Sequence, residues 1–359
     1  MGSNSWKLIV KKIFILLFLI HTSCGFSKTI QVPNIDINIL SWWGYLDSKL
    51  VTEVKQECGV NVSFDEYYSN EEFLRRWQSQ SEYYDIIIFS RTMYNIIKNK
   101  LPNIPQSTLW KKSLLYHPII KKHYQIAHYP HNVAYFVHSI SGFLYNPENI
   151  SLSPNDSVED IFKKAKDNYA VILDDSIEVN TLVKNFHIQN NNPLTIPTFK
   201  NVTQNANIYI LNNYSRIYKN KKFAFSFGWS GEAVVDILES NKQYQFLIHP
   251  KLSYISSDLI AQTSNNKQAL CVAKFLIGEK ATHELTNKDF YFSSYKNYLR
   301  PTNTTFAKIY ENFINSLALL PWTDSIDEKY FAKTNREWQL IKLSLNNHIQ
   351  VRKSNENFN

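Results

Sequence analysis

Three strand-like runs separated by two helix-like ones constrain this chain more than any other feature. Ile37–Leu40 alternates as a strand does, and residues 47–58 carry Leu50, Val51 and Val54 at helical spacing, with Gly59 as the stop. Val60–Phe64 reads as a second strand and residues 70–80 as a helix with Phe73, Leu74 and Trp77 on one face. Asp85-Ile86-Ile87-Ile88-Phe89 is a nearly continuous apolar run, the signature of a strand covered on both sides. Strand, helix, strand, helix, strand in that order predicts parallel pairing with right-handed crossovers. The alternation resumes with strands over Tyr169–Leu173, Asn207–Leu211, Phe223–Phe227 and Phe246–Ile248, and helices over 176–186, 268–277, 306–319 and 325–347. A chain of 359 residues with two such units predicts an α/β protein of two lobes with a cleft between them. Ligands of open parallel sheets sit beyond the carboxyl ends of strands, so residues just after strands are the ones to weigh.

Composition excludes several classes. Hydrophobic residues are 44% and charged residues 19%, a folded protein's balance, and 8 glycines leave little room for a glycine-rich phosphate loop. The net charge of +8 is scattered; runs such as Lys219-Asn220-Lys221-Lys222 and Lys121-Lys122 are too short for a basic tail and read as solvated surface, and no nucleic-acid motif accompanies them. No His-Glu-x-x-His, Cys-x-x-Cys or Walker loop occurs, and His128, His131 and His138 have no acidic or cysteine partner nearby for a metal. Phe227-Gly228-Trp229-Ser230-Gly231 fails as a nucleophile elbow, because the last glycine of that motif would fall on Glu232. No cofactor is expected.

The N-terminus reads as a secretory signal over residues 1–27. Lys7, Lys11 and Lys12 precede the apolar run Ile13–Ile20, which is far short of the ~20 residues that span a bilayer. Export to the periplasm follows. Two ways of processing fit: ordinary cleavage near Gly25–Ser27, or cleavage before Cys24 with lipidation of that cysteine, for which Ser23 suits the preceding position and His21 does not. Cys58 and Cys271 sit at helix positions where buried side chains are expected, which favours free thiols over a disulfide. Gln189–Pro193 reads as a surface loop.

Three constellations follow strands directly. Trp42-Trp43-Gly44-Tyr45 could wall a pocket, aromatic faces attracting ammonium groups by roughly 0.5–2 kcal/mol each, or could be ordinary packing. Asp175 and Glu178 share a helix face and could hold one ammonium group, or could form a capping box. Trp229 repeats the pattern at the next strand exit.

Taken in order, these segments resemble the periplasmic spermidine/putrescine-binding proteins of ABC transporters. Trp42-Trp43-Gly44-Tyr45 matches that family's Trp-x-x-Tyr, and Tyr84 to Ser90 its Tyr-Asp-apolar strand ending near Ser. Leu173 to Glu178 matches its Leu-x-Asp-Asp-x-x-Glu, and Trp229 and Tyr291 fall on its Trp and Tyr. The resemblance runs from about residue 36 to 300 and implies a type II periplasmic-binding-protein-like fold that closes by a hinge. It implies lobe 1 over 33–133 plus 255–299, lobe 2 over 134–254 plus 300–350, and a polar tail over 351–359. It further implies a monomeric binding protein that delivers a polyamine to a membrane permease. Asp175 and Glu178 would grip an amine, and Trp42, Tyr45, Ser90, Trp229, Tyr254, Ser256 and Tyr291 would line the site. Tyr254 stands where the family has Trp. Ser256 replaces an acid of the family's third cluster, although Asp258 lies two positions on, and Gly44 stands where some members carry Glu. A different small amine, an amino acid, ferric iron or a phosphonate stays open as ligand, as does a surface protein that no longer serves transport.

Overall fold

In the computed structural model the strand–helix alternation becomes a single 10-stranded mixed sheet flanked by helices. The structure describes residues 36–182, 199, 203, 206–211, 221–241, 243–298, 300–345 and 349–350. The signal segment with Cys24, the loop at 189–193, the end of the helix expected over 176–186 and the tail at 351–359 lie outside the described residues.

The first three strands are β1 (Asp36–Trp42), β2 (Asn61–Tyr67) and β3 (Ile86–Ser90), with β1 central and parallel to both neighbours. Helix α1 (Ser48–Cys58) follows β1; Asp47 accepts the Leu50 N–H at its start, and Gly59 closes it at φ 67°, a left-handed conformation that costs glycine little. Helix α2 (Asn70–Gln80) is capped by Ser69 and buries Phe73, Leu74 and Trp77, the face its spacing predicts.

Two long strands that the sequence reading leaves unassigned join the halves. β4 (Val133–Tyr145) has 13 residues, and it pairs antiparallel with β9 (Ile255–Gln262) over its first part and with β7 (Phe223–Trp229) over its second. β5 (Tyr169–Leu173) lies parallel to both β6 (Asn207–Leu211) and β7, β8 (Gln245–Leu247) pairs with β4, and the short β10 (Ile349–Gln350) pairs with β6. The strand order is β10-β6-β5-β7-β4-β9-β3-β1-β2.

Among the described residues the sheet carries two large cores and a smaller one around Leu144, Val171, Phe223 and Ile237. One large core gathers Leu40, Phe73, Trp77, Ile87 and Phe89 with Val133 and Tyr135 of β4; the other gathers Phe143, Ile172, Ile210 and Phe225. The helix Thr304–Ser316 packs Phe306, Tyr310 and Phe313 into the first, and the helix Glu328–Leu345 sends Phe331 to the first and Trp338 and Ile341 to the second. Asp174 anchors that last helix, accepting from Trp338 Nε1 at 2.7 Å and Lys342 Nζ at 2.8 Å. Arg91, just after β3, donates to the Thr323 carbonyl and to the Tyr129 hydroxyl, tying residues 321–326 to the first core.

The expectation of free thiols is corrected: Cys58 and Cys271 form a disulfide, their Cα atoms 5.9 Å apart. Both are half-buried rather than buried, because α1 and the helix Lys267–Leu276 lie side by side and present their cysteines to each other. With a sequence separation of 213, the loop-entropy gain has a ceiling of about 5 kcal/mol.

Candidate functional site

The chain exits of β1, β3 and β5, with β9 between, bring the predicted residues into two groups. The first is built on β1, β3 and β9. Trp42 ends β1 and packs on Tyr67 with ring centroids 4.5 Å apart. After it the chain turns at Gly44 (φ 82°), whose N–H donates to Glu66 Oε1 at 2.8 Å, and this turn brings Tyr45 back inside. Tyr45 is 6% exposed; its ring meets the edge of Tyr291 at 5.0 Å, and its hydroxyl donates to Asp258. Trp43 is not part of this wall, being 54% exposed and stacked on Tyr68.

Asp258, which the sequence marks only as an acid two positions past Ser256, is the third carboxyl of the group. It sits on β9 directly across from Ser90 on β3. Ser256 and Asp258 are two apart on one strand and so share a face, and Asp258 brings a carboxyl to the side where the resemblance expects an acid at Ser256. Ser256 lies opposite Ser139 of β4, and Ser90 shares a hydrogen bond with Thr92.

The second group is built on the β5 exit. Asp175 precedes a helix that begins at residue 176, and its Oδ1 accepts the backbone N–H groups of Ile177 at 2.8 Å and Glu178 at 3.1 Å. Only half of a capping box forms, because the Glu178 carboxylate accepts instead from the Tyr254 hydroxyl. Trp229, at the end of β7, meets the Tyr254 ring edge-on at 5.7 Å. Asp175 therefore caps the helix through Oδ1 and leaves Oδ2 free of backbone N–H groups.

The two groups are coupled. Asn70 Nδ2, at the start of α2, donates to Asp175 Oδ2 at 3.3 Å. Burial pushes the Asp175 and Asp258 carboxyls each up to about 6; the charge of Glu71 adds to the first, while the Tyr45 hydroxyl and the nearby Trp42 indole oppose the second. Trp42 Nε1 makes no hydrogen bond of good geometry, so its influence on Asp258 is one of proximity. Burial raises Glu178 well above the usual carboxylate range, and the negative charges of Asp175 and Asp258 raise it further. Burial likewise raises Tyr45 and Tyr291, with the Asp258 charge behind it.

The arrangement is an aromatic-walled site with three carboxyls, none of which accepts from a lysine, arginine or histidine among the described residues. Among those residues no group of three histidine, cysteine or carboxylate side chains could hold a metal ion. His128 closes a helix in the left-handed region, His131 packs beside Trp110, and His138 is fully buried between the Ser257 and Ser294 hydroxyls, where burial takes its imidazole down to about 3.

No protein-family model matches the chain, and no curated protein sequence matches it. Solved structures do resemble it. The spermidine/putrescine ABC transporter substrate-binding protein PotD of Streptococcus pneumoniae, in complex with calcium and HEPES, has a TM-score of 0.67 at 19% identity, covering 86% of this chain and 98% of that one. The TpPotD lipoprotein of Treponema pallidum has a TM-score of 0.67 at 14% identity, covering 86% and 99%. The periplasmic binding protein MotA of A. tumefaciens, in complex with glucopine, has a TM-score of 0.63 at 12% identity, covering 86% and 100%. At these identities the likeness establishes the fold: this chain is an α/β protein with the two-lobed architecture of periplasmic binding proteins. Among the described residues no helix is long and apolar enough to cross a membrane.

Proposed function

We propose that this chain is an exported solute-binding protein that captures a small organic amine and delivers it to an ABC transporter permease, acting outside the cytoplasm and without catalysis of its own. One observation carries the reading. In a chain of net charge +8, three carboxyls, Asp175, Glu178 and Asp258, are gathered among Trp42, Tyr45, Trp229, Tyr254 and Tyr291 with no basic partner among the described residues. Such a cluster repels itself, and a bound cation relieves that repulsion while its alkyl part rests on the aromatic faces. Among the described residues no serine of the site is hydrogen-bonded to a histidine, in keeping with binding rather than chemistry. A polyamine such as putrescine or spermidine suits the fold's likeness to the spermidine/putrescine-binding proteins and the presence of acids in both groups. Asp175 and Glu178 would grip one ammonium, and Asp258 with Tyr45 would serve a second. Ser90 and Ser256 would line the same space. The hinge would lie near β4 and β9, with 33–133 plus 255–299 and 134–254 plus 300–350 as lobes, and Cys24 would carry any lipid anchor.

The test is thermal unfolding of the mature protein against putrescine, cadaverine, spermidine, agmatine, 4-aminobutyrate, ferric iron and a phosphonate. A ligand that binds only the native state raises the midpoint. Stabilisation by an amine that is lost in Asp175→Asn and Glu178→Gln is the expected result. Stabilisation by iron or a phosphonate alone would overturn the amine assignment.

A further inference from the structure

Asn70 is the first residue of α2 and is 3% exposed. Its Nδ2 donates to Asp175, but among the described residues no group donates to its Oδ1, which is buried. A buried amide with one end bonded and the other bare is costly, and each such group asks for an explanation. Flipping the amide would set its oxygen against the Asp175 carboxylate, so the Asp175 contact fixes which end stays bare. The sequence holds no sign of this, since Asn at the start of a helix after a Ser cap reads as an ordinary turn residue.

The bonding left over beside it has one character. Asp175 Oδ1 is spent on two backbone N–H groups, and Glu178 Oε2 on the Tyr254 hydroxyl. Glu178 Oε1 has no hydrogen-bond donor among the described residues, Asp175 Oδ2 has only the 3.3 Å contact from Asn70, and Asn70 Oδ1 has nothing. All of these groups accept and none donates. A quaternary ammonium would meet their charge but could give them no hydrogen; an ammonium bearing N–H groups meets both.

We infer that Asn70 is a ligand-contacting residue whose Oδ1 accepts an N–H of the ammonium held by Asp175 and Glu178, and that it makes the site select N–H-bearing cations over quaternary ones. The inference rests on the amine reading above. A neutral acceptor suits this position, because it adds a hydrogen bond without adding a fourth negative charge to a cluster that already repels itself.

The experiment is calorimetric titration of the mature protein with putrescine and with its fully N-methylated analogue, which keeps two positive charges on the same chain but has no N–H. Wild type is compared with Asn70→Leu, which removes both ends of the amide, and Asn70→Asp, which keeps an acceptor in place and removes the donor to Asp175. Circular dichroism and the melting midpoint check folding, and Asn70→Ala replaces the leucine variant if that one does not fold. Expected is a Kd for putrescine at least tenfold weaker in Asn70→Leu and within about threefold of wild type in Asn70→Asp at pH 7.5. The preference for putrescine over its methylated analogue should shrink at least tenfold in Asn70→Leu. If both variants lose affinity equally, Asn70 acts only by holding Asp175 and the inference is wrong. Binding of putrescine by Asn70→Leu within twofold of wild type also overturns it, as does a methylated analogue that binds wild type as tightly as putrescine. In each of those cases the amine reading stands. Wild type that binds none of the amines removes the amine reading and this inference together.

Discussion

Amine binding should weaken steeply on acidification, by an amount the site's carboxyls set. Asp175 and Asp258 are each pushed up to about 6 in the free protein, chiefly by burial. A bound ammonium favours their ionised forms, so protons must leave when ligand enters. At pH 5 roughly ten in eleven of each group is protonated, and at pH 7.5 only about one in thirty. Each group then weakens binding about elevenfold between those pH values, and the two together roughly 100-fold, or about 2.7 kcal/mol. Glu178, raised further still, adds to this in the same direction. The amine keeps its own charge throughout, with a pKa near 10 like that of lysine, so the effect belongs to the protein. The assay is calorimetry at pH 5.0, 6.0 and 7.5 in pairs of buffers of different ionisation enthalpy, using the amine that most stabilises the protein. About one proton should be released from the two aspartates per ligand bound at pH 6.0. A Kd that changes less than threefold over the range, or protons taken up instead of released, would refute the reasoning.

Three further outcomes follow from named contacts. Asp258→Asn should raise the melting midpoint of the ligand-free protein at pH 7.5 by a few degrees. The sign follows from linkage: a carboxyl whose folded pKa is raised contributes stability present below about 3.9 and lost as pH climbs through about 6, so at pH 7.5 its charge is a burden of about 1–2 kcal/mol once partial exposure is discounted. A lower midpoint would show that the Tyr45–Asp258 hydrogen bond outweighs the buried charge. Tyr254→Phe removes the hydroxyl that holds Glu178 and should weaken amine binding about tenfold at pH 7.5, measured by the same titration; an unchanged Kd would leave Tyr254 as wall only. Gly142→Ala would set a Cβ 2.5 Å from Phe246 Cζ and 2.7 Å from the Leu247 carbonyl, where β8 lies against β4, and should cost about 1–3 kcal/mol in urea unfolding.

The sequence reads well where a single local rule governs. Apolar Ile86–Phe89 and the face Phe73, Leu74, Trp77 lie where their periodicities place them, and Gly59 stops its helix in the left-handed region. β4 escapes the reading because it obeys two environments at once: Val133–Tyr145 is buried nearly throughout, so it shows no period, and it pairs first with β9 and then with β7. Of the site, the aromatic exits and the Asp175–Glu178 pair were visible from their positions after strands. Asp258 was within reach, since residues two apart on a strand share a face, but β9 had first to be recognised as a strand. The disulfide was not within reach, because the approach of two helices 213 residues apart is a property of the tertiary fold alone. Nor was Asn70, whose meaning lies in an atom left without a donor.

The cystine also changes what a broken chain would look like. It joins residue 58 to residue 271, so any single backbone cut between those positions leaves two fragments that still travel as one molecule. A protease that nicks the protein there should produce no new band on a denaturing gel until a thiol is added. All of β2 through β9 falls within that covalent circle, so such a nick would leave these strands tethered to the sheet that holds them.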